Sequence, residues 1–150
     1  MKKALIILLS LLISALTFAQ SNLDKQLVEK ACLDYIEGFY EGDTTKIKNS
    51  VKHTLYKFGY WKNKQTGNYE GDGHMTFQQA IDYAKQVFEK KNFVSEKAPK
   101  KVEILDIINH IASAKITAWW GIDYILLSKA GDKWMIEQVL WEGPLEQSKF

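Results

Sequence analysis

The chain has 150 residues, 46% hydrophobic and 13% aromatic, which is material for one domain with one core. Its 20 basic residues are all lysine and stand against 18 acids, a formal net charge of +2. With no arginine for bidentate phosphate or base-edge contacts and no basic field, the composition argues against nucleic acid as a partner.

Lys2 and Lys3 open the chain, and an uncharged run follows from Ala4 to Phe18. Thr17-Phe18-Ala19 then gives the small-x-small shape that a signal peptidase reads. This predicts a signal peptide over 1–19, cleavage near Ala19, and a single domain over 20–150 exported to the periplasm or beyond. The run is shorter than the roughly 20 apolar residues of a spanning helix. Polar Gln20, Ser21 and Asn22 follow at once, and no cysteine stands at the cut to carry a lipid. No later stretch is apolar enough to cross a bilayer, so no membrane partner is expected. Losing Lys2 and Lys3 takes the 20 basic residues to 18, equal to the 18 acids. Cys32 is the only cysteine, which excludes an internal disulfide.

Val28, Cys32, Tyr35, Ile36 and Phe39 recur at helical spacing and predict an amphipathic helix over about 22–41, with Cys32 a small buried hydrophobe on its face. Gly42 ends it, and Asp43 caps a short second helix to about Val51. Thr54 to Trp61 is rich in strand-favouring aromatics, and Asn63 to Asn68 is a turn. Tyr69 begins a return strand that Gly71 and Gly73 interrupt. Thr76 and Gln79 make a capping box before a third helix, whose apolar face carries Phe77, Ala80, Ile81, Ala84, Val87 and Phe88. Lys90 and Lys91 suit its negative end, and Asn92 stops it. A polar linker with Pro99 then leads to strands. These are Val102 to Ile108, Ile111 to Trp120, Ile122 to Ser128 and Lys133 to Trp141, separated by Asn109-His110, Gly121 and Ala130-Gly131-Asp132.

A sheet buried on one face alternates apolar and polar residues, whereas these strands carry apolar residues on both. Helices must cover one face while the other closes over a pocket or meets a partner. The predicted class is α+β: three N-terminal helices packed on a curved, mostly antiparallel sheet.

Several segments carry a resemblance. They are Asp34 to Asp43, His53-Thr54-Leu55-Tyr56-Lys57-Phe58-Gly59, Met75-Thr76-Phe77, Trp119 to Tyr124, and Lys133-Trp134-Met135-Ile136 on to Trp141. On them the chain resembles the small bacterial proteins called the putative lumazine-binding family, within the nuclear transport factor two-like (SnoaL-like) superfamily. One departure shows: Lys52-His53-Thr54 lacks the proline that often follows this histidine in the family. The resemblance implies a cone-shaped roll. It does not choose a function, because the superfamily includes isomerases, polyketide cyclases, dehydratases and pure binding or assembly domains.

An enzyme on such a fold needs an acid or base facing the cone, with a donor nearby. Asp123, between Ile122 and Tyr124 in the most apolar strand, is the first candidate base, and Asp106 is the second. The structural alternative for Asp123 is a cap on a backbone N–H or a pair with a lysine. His53 precedes the first strand, and a His53–Asp123 pair would resemble the cyclase arrangement. His74 lies beside Gly73 and His110 in a turn, and no metal-ligand spacing is present, so neither a metal nor a cofactor is expected. Tyr56, Tyr60, Trp61, Trp119 and Tyr124 are the candidate pocket residues, suited to a small, flat, apolar ligand. Adjacent Trp119 and Trp120 are expected on opposite faces of a strand. The leading expectation is a non-catalytic pocket protein that forms a homodimer through its sheet. The alternatives are an isomerase, cyclase or dehydratase using Asp123 or Asp106 with a Tyr or His, and a protein-interaction domain.

Overall fold

Apolar residues three and four apart from Val28 to Phe39 can be buried only if their helix lies along a sheet, and it does. The computed structural model describes residues 2–145, with side chains described from Asn22 onward except at Asp72. Helix α1 (Lys2–Glu41) buries Val28, Cys32, Tyr35, Ile36, Phe39 and Tyr40. The side chains of the predicted signal peptide lie outside the described residues. Gly42, at φ +70°, ends α1 where the chain passes so close to the third helix that a Cβ would sit 2.5 Å from Phe88 N. Asp43 Oδ1 then accepts from the Thr45 and Lys46 amides at 2.7 and 3.1 Å, and so caps α2 (Thr44–Ser50).

Strand β1 (Val51–Lys62) starts directly after α2 and turns into β2 (Tyr69–Met75). β2 runs through Gly71 and Gly73 instead of breaking there, and the register slips between Phe58 and Tyr60. The Thr76–Gln79 capping box is formed at both bonds and starts α3 (Phe77–Glu89). Strands β3 (Lys101–Ile107), β4 (Ile111–Ala118), β5 (Gly121–Ala130) and β6 (Lys133–Gly143) complete the chain. The sheet order is β2-β1-β6-β5-β4-β3, antiparallel except for the parallel β1–β6 pair that closes the chain back onto its first strand. The α+β expectation of three helices on a mostly antiparallel sheet holds.

One face of the sheet carries Leu55, Ala112, Ala114, Ile116, Ile125, Leu127, Ile136 and Val139, all buried. The run of alanines on β4 lets α1 come close, so that its larger side chains fill the space between helix and sheet. Two polar ties set the pose of α1. Asp24 Oδ1 accepts from Lys129 Nζ at 2.6 Å and Trp134 Nε1 at 2.9 Å, fastening the middle of the helix to β5 and β6. At its C-terminal end Tyr40 Oη donates to the Pro99 carbonyl (2.6 Å) and accepts from the Trp119 amide (2.8 Å).

Trp119 and Trp120 form the tight turn between β4 and β5 rather than a strand, so the alternation rule does not apply to them. Their rings meet edge to face at 6.2 Å, Trp120 buried and Trp119 43% exposed. The reason is Gly121, at φ +149°, whose Cα lies against the Glu142 carbonyl with no room for a Cβ (2.0 Å).

A Cβ on Gly59 would meet the Trp141 carbonyl oxygen at 2.1 Å and its ring at 2.5 Å. Gly59→Ala should therefore lower stability by about 1–3 kcal/mol, read as a shift of the urea midpoint at unchanged slope.

Candidate functional site

Strand parity puts Leu55, Lys57, Gly59 and Trp61 on the face of β1 that meets the helices, and one of these is a lysine. Lys57 is 7% exposed and lies beside Asp123, which comes from the same face of β5 and is fully buried. A buried charge is tolerated only when paired and hydrogen-bonded. Asp123 meets that condition on both oxygens: Trp120 Nε1 donates to Oδ1 at 2.6 Å and Tyr35 Oη to Oδ2 at 2.9 Å. The Lys57 ammonium faces Oδ2 at the longer distance of 3.4 Å. It also lies 5.1 Å from the Trp141 ring centroid and 5.7 Å from those of Tyr35 and Trp120, within range of cation–π attraction.

Burial, then the charge of Asp123 and the hydrogen bond to it, hold the Tyr35 phenol well above its ordinary pKa, so Tyr35 stays a donor. Burial pushes the Cys32 thiol up to about 12, with the Glu29 and Asp123 carboxylates adding to the effect. Cys32 is thus a protonated core side chain, far from the thiolate that reactivity requires.

Above Lys57 a cleft of about 230 Å³ opens between the sheet and the helices. Trp61 and Trp141 line its sheet side, Phe39 and Tyr83 its helix side, and Trp119 and Trp120 its end at the β4–β5 turn; Met75 joins them from β2. Aromatic packing fixes the walls: Phe39 meets Tyr83 at 5.5 Å and Trp120 at 5.9 Å edge to face, and Trp61 meets Trp141 at 6.0 Å. Among the described residues Lys57 is the one charged residue on the lining, with Asp123 paired behind it.

Of the predicted pocket residues, the structure brings Trp61 and Trp119 together at this cleft. Tyr56, Tyr60 and Tyr124 point from the opposite face of the sheet, 52%, 41% and 54% exposed. Tyr60 and Tyr124 border a larger groove there of about 620 Å³, whose polar members Lys115 and Glu142 are at least part-exposed. The inner cleft is the better candidate for chemistry despite its smaller size, because it alone of the two carries a buried ion pair.

His53 and Asp123 are not brought together: His53 is exposed and packs on the Phe77 ring at 4.2 Å, and Lys57 holds the place beside Asp123. Asp106 is exposed at a register slip on edge strand β3. His74 stacks on Tyr56 at 4.3 Å, and His110 sits in the β3–β4 turn. Among the described residues no three His, Cys, Asp or Glu side chains gather as metal ligands. Lys57, Phe39, Tyr83 and Trp141 are site residues that sequence reasoning did not single out. The available signal was parity: Trp61 and Lys57 are two turns of alternation apart and share a face, whereas Tyr56 and Tyr60 cannot join them.

Residues 23–142 match the sequence profile of the family described as "Putative lumazine-binding". No curated protein matches the chain. Among solved structures, it is similar to an NTF2-like protein of unknown function from Shewanella baltica OS155, with 22% identity and a TM-score of 0.57 over 79% of this chain and 91% of that one. A second NTF2-like protein of unknown function, from Methylobacillus flagellatus KT, shares 18% identity at TM-score 0.57, covering 79% of this chain and 90% of its own. A third, from Silicibacter pomeroyi DSS-3, shares 13% at TM-score 0.56, covering 83% and 96%. At these identities the likeness carries the NTF2-like fold.

Removing Asp123 leaves the Lys57 charge buried without its carboxylate. Asp123→Ala should cost about 3–5 kcal/mol in urea unfolding, and Asp123→Asn less, because the amide oxygen still accepts from Trp120 or Tyr35. The raised groups predict a pH dependence with a definite sign. Above pH 9.0 the unfolded chain releases the Cys32 proton while the folded chain keeps it to about 12, so the contribution of this thiol is constant below 9 and stability should fall between 9 and 12. A plot of urea midpoint against pH checks this, and a rise over that window would contradict it.

Proposed function

Because this chain belongs to the family described as putative lumazine-binding, we propose that it is an exported domain that holds a small, flat, apolar molecule in the cleft above Lys57 and pairs with a second copy through its sheet. The observation that carries the reading is the cleft itself, walled by aromatic rings on the sheet side, the helix side and the end, and large enough for one compact molecule. Exposed Trp119 and Tyr83 at 43% and 41% put two of those rings where an entering ligand would meet them. Export rests on the lysines, apolar run and small-x-small site at residues 2–19. Among the described residues no helix is long and apolar enough to cross a membrane.

Pairing rests on the outer face of the sheet. The register sets Phe58, Leu140, Tyr124 and Lys115 in one row across β1, β6, β5 and β4, with Tyr56, Gln138, Leu126 and Ser113 in the next. Leu126 and Leu140 are 51% and 47% exposed, and contiguous apolar surface of this kind marks an interaction site. An enzymatic reading has one observation in favour, the hydrogen bond between buried Asp123 and Tyr35. It ranks second because Asp123 lies behind the cleft lining with both oxygens engaged.

Native mass spectrometry on protein from the periplasm or medium of its own host tests the reading. The expected result is a chain starting at Gln20 with a bound small-molecule mass; an uncleaved or invariably empty chain counts against it. Trp119→Ala should weaken uptake of that molecule roughly 10-fold or more while leaving thermal unfolding nearly unchanged. Tyr124→Lys should give a monomer in light scattering where the parent protein is a dimer.

A further inference from the structure

Charge is spread unevenly along this chain. Residues 85–101 hold six of the 18 lysines and two of the 18 acids of residues 20–150, which leaves twelve lysines against sixteen acids elsewhere. The basic stretch covers the end of α3 and the loop that leads to β3. Within it stand Phe88 and Phe93, 63% and 52% exposed, their ring centroids 6.3 Å apart in edge-to-face contact. A single exposed apolar residue is ordinary, whereas a paired set of rings among lysines marks a surface with a use.

The backbone holds this pair in place. The Lys91 amide donates to the Phe88 carbonyl at 3.2 Å and the Asn92 amide to the Val87 carbonyl at 3.0 Å, closing the last turn of α3. Lys91 takes φ +55° there, a left-handed position that suits glycine and that a side chain occupies at a cost. Beyond Phe93, the Val94 amide donates to the Tyr40 carbonyl at 3.0 Å and ties the loop to the end of α1. Lys90, Lys91 and Lys97 are exposed, and among the described residues they enter no ion pair. Lys85 faces Glu89 at 3.7 Å, Lys100 faces Glu37 and Lys101 faces Glu103, both at 3.2 Å, and Glu96 is the other acid of the stretch.

We propose that this corner docks on an anionic membrane surface, with Phe88 and Phe93 entering the interfacial layer and Lys90, Lys91 and Lys97 facing lipid phosphates. The combination selects the occupant. A small anion would leave both rings in water, and a purely apolar surface would take water from the lysines without offering an anion. A bilayer with acidic lipids presents a negative headgroup layer and, just beneath it, apolar matter that accepts a ring. Such contact needs no spanning helix. It is independent of the ligand cleft, whose lining includes neither phenylalanine, and of pairing through the outer face of the sheet.

The test is flotation of residues 20–150, which excludes the apolar leader as a cause of binding, with phosphatidylcholine vesicles that either lack or contain phosphatidylglycerol. Binding should be at least about 10-fold tighter to the vesicles with phosphatidylglycerol at low salt, and should decline as salt is raised. Lys90→Gln/Lys91→Gln should weaken it about 10-fold or more. Phe88→Ser/Phe93→Ser should weaken it by a similar factor while the salt dependence persists. Both variants should unfold close to the parent temperature, since all four side chains are exposed. Equal affinity for the two kinds of vesicle, or none for either, would overturn the membrane as occupant in favour of an acidic protein surface. Binding to acidic vesicles that both double variants retain would overturn this corner as the point of contact. Loss in the lysine variant alone would overturn ring insertion.

Discussion

Placing a carboxylate and an ammonium inside a small domain is costly unless each finds its partners, and the Asp123–Lys57 pair organises much of what surrounds it. Tyr35 from the C-terminal part of α1 and Trp120 from the β4–β5 turn each spend their one polar hydrogen on Asp123. Those two bonds require α1, β5 and the turn to stand in one relation, and Lys57 adds β1 to the set. The rings that bring the donors also cover the ammonium, so the aromatic floor of the cleft and the neutralised pair are one construction. This is also why, among the described residues, the lining carries a charged side chain at one point: the carboxylate is consumed in holding the lysine, and the lysine is what reaches the lining.

The aromatic content is then divided by strand parity rather than by residue type. On β1, Trp61 falls with Lys57 on the inner face, while Tyr56 and Tyr60 fall on the outer. On β5, Asp123 and Ile125 go inward and Tyr124 and Leu126 outward. One sheet thereby presents two apolar surfaces with different shapes: a narrow cleft under the helices, and a broad face open to solvent. On the proposed reading, a small molecule would occupy the first and a second copy of the chain the second. The two proposals are compatible because they use opposite faces of the same strands.

Local signals were the most legible part of this chain. The helical face of α1, the Asp43 cap, the Thr76–Gln79 box and the Asn109-His110 turn depend on neighbours within a few residues, and each forms as its sequence implies. Asp123 was legible as a buried acid because apolar residues flank it, and a lysine partner was one of the alternatives that its position left open. The identity of that lysine was not legible. Lys57 is 66 residues away, and a lysine between two aromatics looks like a solvent-facing position until the strand is oriented.

What the sequence determined by itself is therefore the helices, the strands, the family and the presence of one buried acid, because propensity, capping and periodicity act over short spans. Tertiary structure decided which face of β1 turned inward. It also decided that β1 lies parallel to β6, and that Trp119 and Trp120 make a turn at a cleft instead of splitting across a strand. Those outcomes depend on register between strands far apart in the chain, and a one-residue change of register would exchange the two faces. The pairing of Lys57 with Asp123 is settled at that level too: the fold, and not its neighbours in sequence, brings that lysine beneath a set of aromatic rings.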